Sequence, residues 1–324
     1  MSSKTKKSFT IGIDLGGTKV AAGLVDQNGK LLDHVKVPVE MHRESSPELT
    51  QKRVMSLMGD IANDFKRRFP KECSGSQFKG VGLASAGPMN VETGKLINPV
   101  NYPGWKIYPI QANLKKELQK RKFNVPVFFQ NDAMAAALAE SWVGGAKGLQ
   151  TFAVVTVGTG IGSGVIVHGR PCHTHGMGSE FGHTLLDIQK LKAHPDKLSH
   201  CTAEGIASGT GLQRRAKEMG FEGSSVEELV LAMDKGETQY NELFDDMAWA
   251  IAGLCYNLSI GFHVEKILFS GGLLKIKHLY FEQMKKHYSH LIRQFNKSFE
   301  APLQVAKGGT HAGVIGAAYL PYLP

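Results

Sequence analysis

Phe9-Thr10-Ile11-Gly12-Ile13-Asp14-Leu15-Gly16-Gly17-Thr18-Lys19 decides how this chain folds. An apolar run ends in an aspartate and a glycine turn, and a second apolar run, Val20-Ala21-Ala22-Gly23-Leu24-Val25, follows at once. The polar stretch Asp26-Gln27-Asn28-Gly29-Lys30 reads as a turn into a third strand from about Leu31 to Val39. Three strands joined by short glycine turns predict an antiparallel meander. The pattern restarts far along the chain. Phe152 to Val157 is a strand, Gly158-Thr159-Gly160-Ile161-Gly162 a turn, and Ser163 to Val167 a returning strand. The GxGxG is followed by the apolar Val165-Ile166-Val167 rather than a helix, which favours a hairpin over a dinucleotide-binding loop. This internal echo points to a second, related lobe.

Between the two hairpins the pattern alternates. Ser46 to Phe69 is a helix candidate with Pro47 near its first turn, Lys79 to Ala84 a strand ending at Ala86-Gly87-Pro88, and Leu96 to Trp105 a Pro/Gly-rich loop. Gln111 to Arg121 reads as a helix and Val125 to Phe129 as a buried strand, with an alanine-rich helix following Asn131-Asp132 to Trp142. Residues 170–204 are polar and aperiodic. Helices are expected near 209–219, 225–234, 239–262 and 278–296, with a strand at Lys266 to Phe269 before Ser270-Gly271-Gly272. Gly313 to Tyr319 reads as a short helix packing back on the first lobe. The fold class is α/β, with lobe boundaries expected at 1–130 plus 309–324 and at 131–308.

Composition bounds the function. Length 324 suggests two domains, and 37 glycines, about 11% against a typical 7%, sit in turns after apolar runs rather than in low-complexity sequence. The formal charge of +9 invites a nucleic-acid reading, but the basic residues are spread out apart from Lys4, Lys6 and Lys7 in the N-terminal tail. No basic stripe alternates with aromatics, so a general positive field is the economical reading and no nucleic-acid partner is expected. Four cysteines without CxxC spacing, no signal peptide and no membrane-length apolar stretch predict a reduced cytoplasmic protein with no membrane partner.

Each glycine turn suits phosphate. Paired glycines let backbone N–H groups approach an anion, and Thr18 adds a hydroxyl. Asp14 would repel phosphate alone but suits Mg²⁺, since hard cations prefer carboxylate oxygens. Asp132, after a buried strand and at the start of a helix, reads either as a helix cap or as a rigidly placed carboxylate.

Ile13-Asp14-Leu15-Gly16-Gly17-Thr18-Lys19, Gly82 with Gly87-Pro88, Asn101-Tyr102-Pro103-Gly104-Trp105, Asn131-Asp132, Gly158-Thr159-Gly160-Ile161-Gly162, Glu180-Phe181-Gly182-His183, Glu204 with Ala207-Ser208-Gly209, and Ser270-Gly271-Gly272 run in order along nearly the whole chain. Together they resemble the ROK family of bacterial-type glucokinases and related hexose kinases, within the sugar-kinase/actin/heat-shock-ATPase superfamily. The resemblance implies two actin-like (ribonuclease H-like) lobes with an interlobe active-site cleft. It implies ATP-dependent phosphorylation of a hexose, glucose foremost, with Asp132 as general base. Sugar hydroxyls would be read by Asn101, Asn131, Asp132, Glu180, His183 and Glu204. ATP phosphates would lie at Gly16, Gly17, Thr18 and Lys19 and at Gly158, Thr159 and Gly160, with Asp14 placing Mg²⁺. Gly271 and Gly272 would let the backbone approach the adenosine. A homodimer is implied by the family alone.

One segment departs from the pattern. Most ROK proteins follow the ExGH motif with a cysteine-rich CxCGxxGCxE stretch that binds a structural Zn²⁺ together with the motif histidine. Here Thr184 to Glu204 keeps only Cys201. A substitute set from His183, His194, His200 and Cys201 fits no zinc spacing, so no structural zinc is expected. Other readings are an N-acetylhexosamine kinase, a fructokinase, or a sugar-sensing regulator. The last would need a helix-turn-helix, for which the roughly eight residues before the first strand are too few.

Overall fold

The computed structural model describes residues 7–41 and 45–323, so Lys4 and Lys6 of the basic tail lie outside the described residues. The chain divides into two compact units. One comprises Met1–Gly148, Cys172–Gly178 and Lys307–Pro324; the other comprises Leu149–Pro171 and Ser179–Ala306.

The first unit opens with β1 (Phe9–Leu15), β2 (Lys19–Asp26) and β3 (Leu31–Pro38), an antiparallel meander in the expected register, with Gly12 opposite Gly23 and Gly23 opposite His34. Asp26 closes the second turn, its Oδ1 accepting the N–H groups of Asn28 and Lys30. Helix α1 (Pro47–Arg68) starts where Ser46 Oγ accepts the Leu49 N–H and proline occupies the first turn, the position that needs no donor. It buries Val54, Met58, Ala62 and Phe65. Next come β4 (Phe78–Ser85), the short strands β5 (Met89–Asn90), β6 (Lys95–Ile97) and β7 (Ile107–Tyr108), α2 (Ile110–Lys120), β8 (Val127–Asn131) and α3 (Asp132–Trp142). The main sheet has the order β3-β2-β1-β4-β8, with β1, β4 and β8 parallel. Strands β1 and β4 are buried on nearly every position, as expected for parallel strands covered on both faces, whereas edge strand β3 alternates. Strands β5–β7 form a separate three-stranded sheet, and of the Leu96 to Trp105 stretch expected to be loop only Leu96 and Ile97 belong to it.

The second unit repeats the topology. Strands β9 (Phe152–Val157), β10 (Ile161–Val167) and β11 (Arg170–Pro171) are antiparallel. Helices α4 (Ile188–Ala193), α5 (Ala203–Ala207), α6 (Gly209–Glu218), α7 (Val226–Asp234) and α8 (Asn241–Phe262) precede β12 (Ile267–Ser270), α9 (Phe281–Phe295) and β13 (Leu303–Val305). The sheet order is β11-β10-β9-β12-β13, with β9, β12 and β13 parallel. In both sheets the strands run third-second-first-fourth-fifth, so the echo between the two glycine hairpins extends to whole units. The core centres on α8 and α9, where the Tyr288 hydroxyl lies 2.7 Å from Ser259 Oγ and accepts the Ala301 N–H.

Helix α10 (Ala312–Tyr319) returns to the first unit and lies directly on its sheet. A Cβ on Gly12 would overlap the Val314 carbonyl oxygen, and one on Gly82 the Ala317 carbonyl oxygen. On the other side of the helix, a Cβ on Gly316 would strike the Ala135 carbonyl oxygen in α3. Backbone therefore meets backbone on two faces of one short helix. This packing keeps α3 in the first unit, so the division falls after Gly148 rather than at the 130/131 boundary expected from sequence.

Gly82→Ala must displace main chain rather than a flexible side chain, and it should lower stability by about 3 kcal/mol in denaturant titration. Gly261→Ala, inside α8 with no atom near the added methyl, should instead raise it by about 0.5–1 kcal/mol. A neutral Gly82→Ala would mean that α10 is not held at backbone contact.

Candidate active site

In the first unit the candidate residues gather at the ends of the parallel strands. Asp14 is the penultimate residue of β1, aligned with Ala84 of β4, and Ser85 of β4 is aligned with Asn131 at the end of β8. Asp132 follows, so the two carboxylates flank the end of β4. Asn131 is the N-cap of α3: its Oδ1 accepts the Met134 N–H at 3.1 Å. Asp132 is the first residue of the helix and is not its cap. Its Oδ1 accepts the Ala133 N–H at 2.8 Å. Asn131 thus takes the capping role, and the Asp132 carboxylate meets the helix only through N–H groups of its first turn.

The electrostatics of the pair are unusual. Burial raises the Asp132 pKa, opposed by backbone N–H donors at Ala133 and Asp132 itself. Asp14 is pushed up to about 7, first by burial, then by the negative charge of Asp132, with Lys19 pulling the other way. A Cβ on Gly313 would come within 2.5 Å of Asp14 Oδ2, so the first turn of α10 helps enclose the carboxylate. Two neighbouring acids with excess negative charge fit a divalent cation that takes its remaining ligands from water and phosphate, the usual arrangement for Mg²⁺.

The turn after Asp14 is closed by Gly16 N–H donating to Lys19 O, while Thr18 O accepts the Val39 N–H. Neither Gly16 nor Gly17 needs a positive φ, and an added Cβ would make only ordinary contacts, at 3.5 Å for Gly16 and 3.6 Å for Gly17. The fold does not demand glycine here, and the backbone stays open to close approach. Asn101 is exposed beside this turn, its carbonyl oxygen 3.6 Å from where a Gly17 Cβ would sit.

In the second unit, Gly158, Thr159 and Gly160 form the β9–β10 turn, closed by Gly158 N–H donating to Gly160 O. The start of α6 grips it: Gly209 N–H donates to Gly158 O at 2.8 Å and Thr210 N–H to Thr159 O at 3.1 Å. Glu204, on α5, accepts the Ile161 N–H on Oε2 at 2.7 Å. A Cβ on Gly160 would lie 2.5 Å from that same oxygen and would have to displace the Glu204 carboxylate. Glu204, expected as a sugar ligand, is thus attached to the hairpin turn, a role sequence alone did not suggest. Gly271 has φ +106° and lies against the Val157 carbonyl, while Gly272 faces open space, its N 3.8 Å from where a Gly158 Cβ would sit. The ends of β9 and β12 therefore bring the Gly158–Gly160 turn and Gly271-Gly272 together. Glu180 and His183 are exposed around a 3-10 turn, Phe181–His183, whose Gly182 lies against the Ile161 carbonyl.

The zinc question has a local answer. Cys201 is fully buried with its thiol 3.6 Å from Lys197 O, and His194 ends α4 through its backbone. Burial and the charges of Arg214, Lys190 and Lys197 lower the His200 pKa against the opposing charge of Glu218. Among the described residues no group of three or more His, Cys, Asp and Glu is placed to hold a metal. The donor set does not fit zinc.

Comparison with known proteins agrees with this architecture. The ROK family model matches residues 10–322. This chain belongs to the ROK family. It is 30% identical to a glucokinase of Streptomyces coelicolor, over 98% of each chain, and 27% identical to an N-acetylmannosamine kinase of Haemophilus influenzae, over 95% of this chain and 94% of that one. A crystal structure of a ROK hexokinase from Thermus thermophilus superposes with TM-score 0.78 at 28% identity, covering 98% of both chains. The α/β fold of two actin-like lobes is that of the ROK sugar kinases. No helix among the described residues is long and apolar enough to cross a membrane.

Folded chain holds the Asp14 proton more tightly than unfolded chain. The stabilisation tied to that proton is complete below the ordinary value of 3.8 and is lost as pH rises toward about 7. Asp14→Asn should flatten stability across that window in denaturant titrations. Asp132→Asn should lower the Asp14 pKa by removing the neighbouring charge, as followed by NMR of the carboxyl. An Asp14 titration unmoved in Asp132→Asn would separate the two acids.

Proposed function

We propose that this ROK protein is an ATP-dependent sugar kinase that phosphorylates the 6-hydroxyl of an aldohexose, glucose foremost. The observation that carries the reading is Asp132: a carboxylate rigidly placed at a strand end, relieved of capping by Asn131, with its pKa raised by burial. The family relatives, named glucokinase and N-acetylmannosamine kinase, support the same class.

In the proposed reaction Asp132 accepts the proton of the attacking hydroxyl. The sugar oxygen forms the new bond to the γ-phosphorus as the bond to the β,γ-bridging oxygen breaks, and ADP leaves with that electron pair. A raised pKa makes Asp132 the stronger proton acceptor once ionised. Its rigid mounting orients the nucleophile, which matters most in a loose phosphoryl transfer. Asn101, Asn131, Glu180 and His183 supply donors and acceptors for sugar hydroxyls. Glu204 has one oxygen on the Ile161 N–H and the other directed to sugar in this reading. Gly16, Gly17 and Thr18, with Lys19, and the Gly158–Thr159–Gly160 turn hold phosphates, and Gly271-Gly272 accommodates adenosine. Mg²⁺ held by Asp14 would neutralise charge on the nucleotide phosphates.

An N-acetylhexosamine is the second reading, favoured by the likeness to N-acetylmannosamine kinase over 95% of the chain. An ADP-coupled assay over glucose, mannose, fructose, N-acetylglucosamine and N-acetylmannosamine should give the highest kcat/KM with glucose. Preference for an N-acetylated sugar would select the second reading, and sugar binding without turnover would replace the kinase by a sensor.

Asp132→Asn should lower kcat by about 10²–10⁴-fold while leaving sugar affinity within a few-fold. Retained turnover would remove it as base. Glu204→Ala should weaken both nucleotide and sugar, because it frees the hairpin N–H as well as deleting a sugar contact. A change in sugar KM alone would refute its attachment to the turn.

A further inference from the structure

The loop that bears Asn101 is held by a buried phenol. Tyr102 is fully buried between exposed neighbours, Asn101 and Pro103. Its O–H donates to the Leu15 carbonyl at 2.6 Å, and Ser85 Oγ lies 2.8 Å from the phenolic oxygen. Because the only phenolic proton goes to Leu15, the oxygen accepts from Ser85. The alternative acceptor for that serine proton, Ala86 O, is farther, at 3.3 Å.

These partners are not arbitrary. Leu15 follows Asp14 at the end of β1, and Ser85 ends β4 in register with Asn131, the residue before Asp132. One oxygen therefore links the Asn101 loop to the strand ends that carry both acids. The ring packs at a tilt against Trp105, centroids 5.2 Å apart, and Trp105 in turn meets Tyr108 edge-on at 4.9 Å. Backbone bonds from Tyr102 N–H to Pro99 O and from Trp105 N–H to Tyr102 O complete the turn. A phenylalanine would supply the same apolar volume, so filling the core does not account for the hydroxyl.

We propose that Tyr102 is a positioning residue for sugar recognition, its hydroxyl setting where Asn101 stands relative to Asp14 and Asp132. The assignment rests on the sugar-kinase reading above. It adds a residue outside the set that would touch sugar, and it predicts that sugar and nucleotide respond differently when the hydroxyl is removed.

The test compares Tyr102→Phe with the unaltered chain in sugar KM, nucleotide KM, kcat and thermal midpoint, then repeats the comparison in an Asn101→Ala background. Sugar KM should rise about three- to tenfold with nucleotide KM unchanged. In the Asn101→Ala background the same substitution should add little, because its effect passes through Asn101. An unchanged sugar KM, a full additional rise in the Asn101→Ala background, or an equal rise in both KM values would overturn the assignment and leave Tyr102 a core residue. If Tyr102→Phe does not fold, Ser85→Ala carries the test, since it removes one of the two bonds with little change in volume. If the unaltered chain binds glucose or N-acetylmannosamine without turnover, the kinase reading fails, and the same comparison made on sugar Kd still decides the role of Tyr102.

Discussion

Direct backbone contact between α10 and its neighbours is the constraint on which the first unit depends. Gly12 and Gly82 lie under the carbonyls of Val314 and Ala317, and Gly316 lies over that of Ala135. A side chain between two elements can repack, but main chain against main chain cannot. Strands β1 and β4 and helix α3 are thereby fixed at the level of their backbones. Asp14 and Asp132 inherit that rigidity, since each sits within two residues of the end of an element so fixed.

Rigidity has an electrostatic consequence. Two carboxylates brought to the strand ends on either side of β4 repel one another, and burial denies them the water that would screen the repulsion. The result is Asp14 pushed up to about 7, with only Lys19 opposing. Such a pair favours whatever restores positive charge, a proton or a divalent cation. Glu204 in the second unit shows the opposite arrangement. Its Oε2 is matched by a backbone N–H, and Glu204 serves the hairpin as a brace. The same side-chain chemistry is thus used for charge accumulation in one place and for loop geometry in the other.

The hairpins were legible because they carry strong local signals: apolar runs, then glycine, then apolar runs again. The long helices were legible through their periodicity and caps, with Ser46-Pro47 marking the start of α1 within one residue. What escaped were features set by partners distant in sequence. Strands β11 and β13 have two and three residues, too few for any period to show. Strand β6 was concealed by the prolines and glycine that follow it. The boundary before Asn131 looked natural because a strand gives way to a helix there, but the contact of Ala135 with Gly316 joins residues far apart in the chain. Asn131 and Asp132 were equally good caps by type, and only the bond to Met134 N–H decides between them.

The stretch from Thr184 to Glu204 shows how local hydrogen bonding can organise a segment that lacks the cysteine pattern. Asp187, Thr202 and Ser208 each cap a short helix, accepting the N–H groups of Lys190, Gly205 and Gly211. Leu185 bridges to Thr202, and Leu186 N–H donates to Cys201 O. Gly205 then lies against the Ser199 carbonyl, which sets α5 on the preceding turn. Each of these contacts is weak alone, about 1 kcal/mol net. Their sum fixes α5, and α5 carries Glu204 to the Ile161 N–H. The brace on the β9–β10 hairpin is therefore built from caps and backbone bridges.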